Sequence, residues 1–352
     1  MSQFNTLSIK DITRQTNQCV SITFDVPNHL KQDYQFKAGQ YITLKADLDG
    51  KEVRRDYSLC ASPSSGNLTV AVKEVESGTF SKYANQVLKV GDTLEVAKPQ
   101  GRFTFTPDAS KNRTIAAFAA GSGITPVLSI LKTVLEEEPN SQFVLVYGNK
   151  TLNDTIFLNE LLDIQHQYSD RLTIQFVYSQ SQENNALFGR IEKSTVNFIV
   201  KNKYKHVDID AFYLCGPEGM INTIKDVLAE NNIEDNKVFF ELFSTTSAIP
   251  VEDVEEISDG TTSITVIVDD EEKTFTMSQQ QSVLEAALDH DLDAPYSCQG
   301  GICSSCLARI KEGKATMRQN NILTDNEVAE GLVLTCQAHP TTSKIVIDYD
   351  DI

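Results

Sequence analysis

The feature that most limits what this chain can fold into is a group of four cysteines near its C-terminus. Cys298, Cys303 and Cys306 lie within the stretch PYSCQGGICSSCLARI, and Cys336 follows after 29 further residues. The chain has seven cysteines, an odd number, and its N-terminus lacks the basic start and apolar stretch of a secretory signal. We therefore expect a cytoplasmic protein with reduced thiols, in which this group of cysteines serves a purpose other than disulfide formation.

The spacing C-x4-C-x2-C with a distant fourth cysteine matches the ligand pattern of a plant-type [2Fe–2S] cluster. Each iron of such a cluster needs two thiolates, so three ligands on one tight loop and one from a distant strand suffice. Gly300 and Gly301 fit this pattern, because residues without a Cβ let backbone N–H groups approach the sulfides closely. A four-cysteine zinc site is the alternative, although zinc sites usually take two C-x2-C pairs. Four unrelated thiols are a weaker explanation.

The chain is acidic, and its charge is unevenly distributed. Its 352 residues carry a formal net charge of −18 at pH 7, and residues 262–352 hold 15 acidic but only 6 basic side chains. This charge argues against nucleic acid and anionic membranes as partners, and no apolar run reaches the ~18 residues that span a bilayer. A hydrophobic content of 40% predicts folded domains rather than disorder.

The pattern of apolar residues predicts a multidomain chain. Short alternating runs such as CVSITFDV and QYITLKADL predict an antiparallel β-barrel at the N-terminus. Strands alternating with amphipathic helices then predict an α/β doubly wound parallel sheet. After an acidic, flexible linker we expect a hairpin turning at Asp269–Glu272, a helix capped by Ser282, and closing strands LVLTCQAHP and KIVIDYD. The predicted segments are a barrel at 1–110, an α/β domain at 111–243, a linker at 244–261 and a last domain at 262–352.

Two stretches of the first domain have the residue types that a flavin needs. RRDYSLCASP supplies a cation for a phosphate, an aromatic plane for the ring and a hydroxyl for a hydrogen bond near the flavin N5 atom. In AVKEVESGTFSKYA a strand runs into a glycine and a helix-like start, an arrangement that favours pyrophosphate. The candidate flavin-binding residues are Arg55, Tyr57, Ser58, Lys73, Gly78, Thr79 and Ser81.

Two stretches of the second domain are candidates for nucleotide binding. In AAGSGITPVLSIL a buried strand ends in glycines before a helix, so a pyrophosphate could approach the backbone and the helix N-terminus. The stretch YLCGPEGM ends another strand, at the sheet edge where ligands bind in parallel sheets. The candidate residues are Gly121, Ser122, Gly123, Thr125, Pro126, Cys215, Gly216 and Pro217.

With these motifs, residues 1–243 resemble the ferredoxin–NADP reductase superfamily, in which R-x-Y-S binds flavin, G-x-G-x-x-P binds the nicotinamide dinucleotide and C-G-P lies near the nicotinamide. The segment FFELF matches the closing E-x-F of that superfamily, at Glu241 and Phe243, where the aromatic residue covers the flavin. Residues 262–352 resemble plant-type ferredoxins, which have an α+β (β-grasp) fold. The order of the two parts is similar to that in reductase components of bacterial oxygenases.

The resemblance implies an oxidoreductase that uses FAD, a [2Fe–2S] cluster and NADPH or NADH. It implies catalytic roles for Ser58, Cys215 and Glu241, and an oxygenase component, such as a di-iron oxygenase, as the protein that accepts the electrons. Alternatives that stay open are another acceptor (a hybrid-cluster protein, a desaturase or a ring hydroxylase) and a flavin reductase fused to a zinc-bound interaction module.

The sequence leaves the choice of nucleotide open. Relatives that prefer NADPH often have an arginine just after the serine at the position of Ser179, where it binds the 2′-phosphate, but this chain has Gln180 there. Arg190 in FGRI is a candidate substitute for that arginine.

Overall fold

The computed structural model describes residues 4–243 and 260–352, and the contacts within the chain divide it into two units along the same lines. Most of the linker predicted at 244–261 lies outside the described residues. The first strand of the second unit begins at Thr261, one residue before the predicted start of the last domain. Within the described residues, no helix combines the length and the apolar character that crossing a membrane requires.

The first part of the first unit is an antiparallel sheet that closes into a barrel. Its six strands follow the order β4-β3-β6-β1-β2-β5, and the two edges meet at an antiparallel bridge between Leu59 and Val70. Alternation along β2 directs Val20, Ile22 and Phe24 into the core. The elements are β1 (Phe4–Thr16), β2 (Cys19–Asp25), β3 (Tyr41–Leu48), β4 (Lys51–Ser58), β5 (Leu68–Lys73), α1 (Thr79–Gln86) and β6 (Thr93–Ala97).

The second part of the same unit is the predicted doubly wound sheet. Its six parallel strands follow the order β10-β9-β8-β7-β11-β12. The order changes direction between β7 and β11, which is where such sheets form their ligand crevice. The elements are β7 (Thr114–Ala120), α2 (Ile124–Glu137), β8 (Gln142–Asn149), α3 (Leu158–Gln167), β9 (Leu172–Tyr178), β10 (Leu187–Phe188), α4 (Lys193–Asn197) with a π-helical continuation (Phe198–Lys203), β11 (Ala211–Gly216), α5 (Glu218–Glu230) and β12 (Val238–Leu242).

The second unit combines a five-stranded mixed sheet, ordered β14-β13-β19-β15-β17, with the small pair β16-β18. The predicted hairpin is confirmed, but its turn is two residues shorter than the predicted Asp269–Glu272. Glu271 and Glu272 already pair with the preceding strand, and the turn consists of Asp269 and Asp270, whose φ values are +53° and +61°. The predicted cap is also confirmed, because Ser282 and Glu285 form a reciprocal capping box. The elements are β13 (Thr261–Val268), β14 (Glu271–Ser278), α6 (Val283–Asp289), β15 (Leu307–Glu312), β16 (Ala315–Met317), α7 (Asp325–Ala329), β17 (Leu332–Leu334), β18 (Ala338–Pro340) and β19 (Lys344–Asp348).

The prediction that LVLTCQAHP forms one strand is wrong. Strand β17 ends at Leu334 and β18 begins at Ala338, so Cys336 lies in the turn between them and not on a strand. The backbone N–H of Gln337 donates to the carbonyl oxygen of Leu334 at 2.9 Å and closes this turn. The alternating apolar residues on both sides of the turn resemble one continuous strand in sequence, which is why the break is not predicted.

Candidate functional site

The loop after α6 brings two of the four cysteine sulfurs together. Cys303 Sγ lies 3.1 Å from Cys298 Sγ, and the N–H of Gly300 donates to Cys298 Sγ at 3.3 Å. The hydrogen bond from Cys303 is the main cause that lowers the pKa of Cys298 to about 6, and backbone N–H groups of Gly300, Ile302 and Cys303 add to it. This environment favours a thiolate, the form of cysteine that binds a metal.

The other two cysteines form a second pair. The side chains of Cys306 and Cys336 share a hydrogen bond, and both are buried in the core of the second unit. Thr335 fixes this pair, since its backbone N–H and its Oγ1 both donate to the carbonyl oxygen of Cys306, at 3.1 and 3.0 Å. The four cysteine thiols therefore form two pairs, Cys298 with Cys303 and Cys306 with Cys336.

This pairing fits a two-iron cluster better than a single metal ion. Two irons, each bound by two thiolates, need two sulfur pairs, whereas a zinc ion needs four ligands around one point. The residues present therefore fit a [2Fe–2S] cluster.

The two glycines of the cysteine loop have different functions. Gly301 has a φ of +69°, and a Cβ there would lie 2.8 Å from the backbone oxygen of Gln319, so only glycine fits without distortion. At Gly300 the nearest atom to such a Cβ is the oxygen of Cys298 at 3.8 Å, an ordinary contact. The contribution of Gly300 is its N–H group on Cys298 Sγ.

Strand β4 presents the candidate flavin-binding residues on alternating faces. Arg55 and Tyr57 share one face, and Asp56 and Ser58 share the other. The ring of Tyr57 packs on that of Phe80 at the start of α1, with centroids 5.6 Å apart and planes tilted by 33°. The exposed Arg55 donates to the carbonyl oxygen of its neighbour Arg54 at 2.6 Å. The face of Arg55 and Tyr57 thus offers a cation beside an aromatic plane.

The second flavin-binding stretch forms the turn before α1. Gly78 is the N-cap of α1, and a Cβ there would lie 2.3 Å from Ser81 Oγ. Ser81 is buried, and its hydroxyl accepts the N–H of Val75 at 3.2 Å, so it stabilises the turn. Thr79 is exposed at the first position of the helix. Its hydroxyl and the free N–H groups of the first helical turn are available for an anion.

The glycines after β7 form a tight turn against the end of β11. Gly121–Gly123 is a single 3₁₀ turn that leads into α2. A Cβ on Gly123 would lie 2.1 Å from the backbone oxygen of Cys215, and one on Gly216 would lie 3.2 Å from the backbone N of Ala120. Glycine at 123 and 216 therefore lets the two strand ends touch at the switch point of the sheet.

Other candidate residues stabilise this turn or lie beside it. Thr125 is buried, and its Oγ1 donates to the carbonyl oxygen of Ser122 at 3.0 Å. Pro126 occupies the first turn of α2, where its missing N–H is not needed. The ammonium group of Lys73, at the end of β5, lies 3.5 Å from where a Cβ of Gly121 would be. The fold thus places a cation from the barrel at the glycine turn.

Ser58, Cys215 and Glu241 converge although they are distant in sequence. Ser58 Oγ donates to Glu241 Oε2 at 3.1 Å across 183 residues of chain, and Cys215 pairs with Glu241 in the register of β11 and β12. The pKa of Glu241 is raised to about 8. Burial is the main cause, the negative charge of Asp56 adds to it, and the hydrogen bond from Ser58 opposes both. Burial also raises the pKa of Cys215 well above its usual value. Near neutral pH these groups are a neutral thiol and a carboxyl that is mostly protonated.

The remaining predicted residues lie at strand ends. Ser179 directly follows β9, and its N–H donates to the carbonyl oxygen of Asn149 at 3.0 Å. Arg190 is exposed next to Gly189, whose N–H donates to the carbonyl oxygen of Tyr178 at 2.8 Å. Ser179 and Arg190 thus follow two strands that pair with each other. Pro217 is the N-cap residue of α5. Phe243 directly follows β12, and its side chain is 39% exposed, so its ring is accessible to a ligand.

The motifs did not reveal two further residues of this region. Tyr147 is fully buried in β8, and its hydroxyl donates to the carbonyl oxygen of Gly121 at 2.9 Å, which fixes the glycine turn. The only indication of this role in the sequence is that Tyr147 places a hydroxyl group within the apolar run QFVLVYGN. Asp56 accepts a hydrogen bond from Thr43 Oγ1 at 2.6 Å and acts on the charge of Glu241. Its signal is an acidic residue inside R-x-Y-S.

Three family models match the chain in the order of the fold. They are the oxidoreductase FAD-binding domain over residues 6–105, the oxidoreductase NAD-binding domain over residues 118–226, and the 2Fe-2S iron-sulfur cluster binding domain over residues 266–341. The chain therefore combines FAD-, NAD- and [2Fe–2S]-binding domains, and the third match together with the paired thiols selects the two-iron cluster over zinc.

Relatives extend along the whole chain. One component of the 1,2-phenylacetyl-CoA epoxidase of Escherichia coli is 38% identical, with 99% of each chain covered. The ferredoxin reductase component of 3-ketosteroid-9-alpha-monooxygenase from Rhodococcus rhodochrous is 31% identical over 97% of this chain and 96% of its own. The solved structure of phthalate dioxygenase reductase has the same fold, with a TM-score of 0.60 at 23% identity over 98% of both chains.

These full-length similarities agree with the fold, the paired thiols and the glycine turn. The chain is an oxidoreductase that uses NAD(P)H and passes electrons to a protein acceptor. It belongs to the family of oxygenase reductase components that join an FAD-binding domain, an NAD-binding domain and a [2Fe–2S] domain in one chain.

Proposed function

We propose that this chain is the reductase of a phenylacetyl-CoA epoxidase and delivers electrons from NAD(P)H to the oxygenase component of that system in the cytoplasm. The proposed electron route rests on one observation. A single chain contains a flavin- and nucleotide-binding region followed by two pairs of cysteine sulfurs. The 38% identity to a component of such an epoxidase over 99% of both chains supports the choice of acceptor. The acidic surface supports a protein partner rather than nucleic acid or a membrane.

The proposed route uses the residues around Ser58 and Glu241. Bound FAD would supply the chemistry that links a two-electron hydride donor, NAD(P)H, to a one-electron acceptor, the cluster. Ser58 offers a hydroxyl at this position, and Glu241 fixes its orientation through their 3.1 Å hydrogen bond. Because Glu241 is mostly neutral at pH 7, it adds little negative charge where a hydride must arrive. Cys215 orients the nicotinamide as a neutral thiol, and Phe243 covers the flavin until the nucleotide binds.

The remaining residues bind the charged parts of the two nucleotides. Arg55 supplies positive charge for the FAD pyrophosphate, Lys73 supplies positive charge at the glycine turn, and Tyr57 packs against the flavin. The proposed FAD-binding set is completed by Gly78, Thr79 and Ser81. The glycine turn and the N-terminus of α2 would hold the NAD(P)H pyrophosphate, because a helix N-terminus favours negative charge. The proposed nucleotide-binding set is Gly121, Ser122, Gly123, Thr125, Pro126, Gly216 and Pro217, with Ser179 and Arg190 at the adenosine end.

The proposed cluster ligands are Cys298 and Cys303 for one iron and Cys306 and Cys336 for the other. This division follows the two sulfur pairs of the structure. The thiolate character of Cys298 supports it, since ligating cysteines must be deprotonated.

Reconstitution with separate oxygenase components tests the choice of acceptor. The purified chain is combined with NAD(P)H, phenylacetyl-CoA and the remaining components of phenylacetyl-CoA epoxidase, and the consumption of phenylacetyl-CoA is measured. The oxygenase of a 3-ketosteroid-9-alpha-monooxygenase, whose reductase is also similar to this chain, serves as the competing acceptor. We expect consumption of phenylacetyl-CoA that depends on this chain and at least tenfold faster electron transfer to the epoxidase. Faster transfer to the competing oxygenase would contradict the proposal.

A further inference from the structure

Gln337, which directly follows Cys336, connects the two segments that hold the cysteines. Its side-chain Nε2 donates to the carbonyl oxygen of Gln299 at 2.9 Å, and Gln299 lies in the loop of Cys298 and Cys303. The side chain of Gln337 is also a hydrogen-bond partner of the Cys336 thiol. An amide nitrogen carries two hydrogens, so one side chain can serve both acceptors.

Backbone bonds and packing fix the position of Gln337. Its N–H donates to the carbonyl oxygen of Leu334 at 2.9 Å, and its own carbonyl oxygen accepts the N–H of Arg318 at 3.0 Å. Gly301 has no Cβ, and one placed there would lie only 3.2 Å from Gln337 Cγ. The half-buried side chain therefore lies across the cysteine loop in a defined orientation.

The acceptor on the loop is in an unusual conformation. Gln299 has a φ of +51°, in the left-handed region that residues other than Gly, Asn and Asp rarely adopt. A hydrogen bond to its carbonyl oxygen stabilises this turn. The next residue is Gly300, whose N–H donates to Cys298 Sγ. The carbonyl group of Gln299 and the N–H of Gly300 belong to the same peptide unit. The hydrogen bond from Gln337 therefore also helps to orient the N–H group that donates to Cys298 Sγ.

We propose that Gln337 is a positioning residue of the [2Fe–2S] site, which holds the two cysteine segments together and raises the reduction potential of the cluster. The physical reason is that an N–H donor to a ligating sulfur stabilises the additional negative charge of the reduced form. This inference rests on the ligand assignment proposed above.

Three substitutions separate the donor from the shape of the side chain. Gln337→Met keeps the length and removes both N–H donors. Gln337→Glu keeps the shape of the amide, but places a carboxylate against the carbonyl oxygen of Gln299 and the sulfur of Cys336. Gln337→Lys restores a donor of similar reach with a different shape. The matched control is Gln319→Met, because Gln319 contacts the loop with its backbone oxygen.

The measurement is a redox titration of the purified holoprotein, followed by the electron paramagnetic resonance signal of the reduced cluster. We expect the potential to be more negative in Gln337→Met than in the wild type, and most negative in Gln337→Glu. Gln337→Lys should match or exceed the wild-type potential, and Gln319→Met should equal it. A purely structural role predicts a different order, in which Gln337→Glu stays closest to the wild type.

The outcomes separate this inference from the ligand assignment. Equal potentials in the wild type and the Gln337→Met and Gln337→Glu variants would overturn the role of Gln337, and so would an equal shift in Gln319→Met. If Gln337→Met loses its cluster during purification while Gln319→Met retains it, the role in holding the two segments together is confirmed. A wild-type protein without the visible absorption of a [2Fe–2S] cluster would instead overturn the ligand assignment.

Discussion

At the scale of single residues, Glu241 has a charge that changes near physiological pH. Burial, with a contribution from Asp56, raises its pKa to about 8, whereas a glutamate in an unfolded chain titrates near about 4.3. A carboxyl whose pKa is raised by folding stabilises the fold while it is protonated. That contribution is fully present below about pH 4 and is lost as the pH rises through about 8. Cys215, which faces the same carboxyl, stays neutral over this range.

Glu241→Gln should remove a pH dependence of flavin reduction. In the wild type we expect the rate of flavin reduction by NAD(P)H to fall as the pH rises through about 8, because an ionised carboxylate opposes the arrival of a hydride. The glutamine variant stays neutral, so its rate should not change across this range. Stopped-flow absorbance between pH 6 and pH 10 measures both. A wild-type rate that is independent of pH, or the same decrease in both proteins, would contradict the role of this carboxyl.

Gly123→Ala should destabilise the first unit and weaken nucleotide binding. The new Cβ would lie 2.1 Å from the backbone oxygen of Cys215, so the glycine turn and the end of β11 must separate. Overpacking of this kind costs about 1–3 kcal/mol in free energy of unfolding. The matched control is Gly219→Ala in α5, where a Cβ has no atom within 4 Å. It should be neutral or stabilise the helix by about 0.5–1 kcal/mol. Denaturant unfolding of the two variants gives the comparison, and equal stabilities would contradict the close approach of the two strand ends.

Sequence reasoning selected Ser58, Gly123 and Glu241 because each lies in a short motif. It could not predict the hydrogen bond between Ser58 and Glu241, since that bond depends on how β4 and β12 meet across 183 residues. The function of Tyr147 could not be predicted for a related reason, because its hydroxyl is explained only by an acceptor in the glycine turn that follows β7.

At the scale of elements, we propose that the ends of β9 and β10 form the adenosine end of the nucleotide site. Ser179 and Arg190 follow these two paired strands, and on the proposed assignment Gln180 stands where NADPH-preferring relatives have an arginine that binds the 2′-phosphate. A bidentate arginine–phosphate contact is one of the strong charge-assisted pairs. The choice between NADH and NADPH therefore depends on the side chains after these two short strands.

Without an arginine after Ser179, the wild type should discriminate weakly between the two nucleotides. We expect the ratio of kcat/KM values to stay within about a hundredfold, which corresponds to about 2.7 kcal/mol. Gln180→Arg should shift this ratio toward NADPH by about tenfold or more, and Arg190→Ala should shift it toward NADH. Steady-state kinetics with both nucleotides measure the ratio. A wild-type preference for NADPH of several thousandfold, unchanged in Arg190→Ala, would show that another residue binds the phosphate.

Most elements followed from periodicity, and the exceptions have local causes. Helices α2, α3 and α5 and the hairpin of β13 and β14 carry their own signals, which are apolar spacing or a turn pair, whereas the short α4 was not predicted. The turn around Cys336 carries no such signal, because Leu334 and Ala338 continue an apolar pattern on either side of it. It is formed by contacts to distant residues, such as the bond from Thr335 to Cys306.

At the scale of the whole molecule, the chain combines two units that have their own cores. The negative charge is concentrated in the second, where residues 262–352 hold 15 acidic and 6 basic side chains. A negative surface steers a basic partner, and salt screens this attraction. The charge distribution therefore predicts that electron transfer to the acceptor is the salt-sensitive step of the reaction.

Electron transfer to the oxygenase should slow steeply as salt rises from low to molar concentration. Flavin reduction by NAD(P)H in the same buffers should change far less, since it takes place within the first unit. Stopped-flow measurements of both steps on one preparation provide the comparison. Identical salt profiles would mean that the acidic residues serve solubility rather than docking.

The central claim is that electrons reach the acceptor only through the cluster, and Cys303→Ser tests it. Serine is a poor substitute for a ligating thiolate, so the cluster should be labile or lost. The two units have separate cores, so the first should remain folded and retain its flavin. Ferricyanide accepts electrons directly from a reduced flavin, whereas the proposed oxygenase requires the cluster.

The decisive measurement compares two rates on one preparation of Cys303→Ser that lacks the visible absorption of the cluster. The account predicts that NAD(P)H-dependent reduction of ferricyanide stays within about twofold of the wild type, because flavin reduction does not involve the cluster. Transfer to the oxygenase should fall to background. Oxygenase turnover at the wild-type rate in the absence of the cluster would contradict the account.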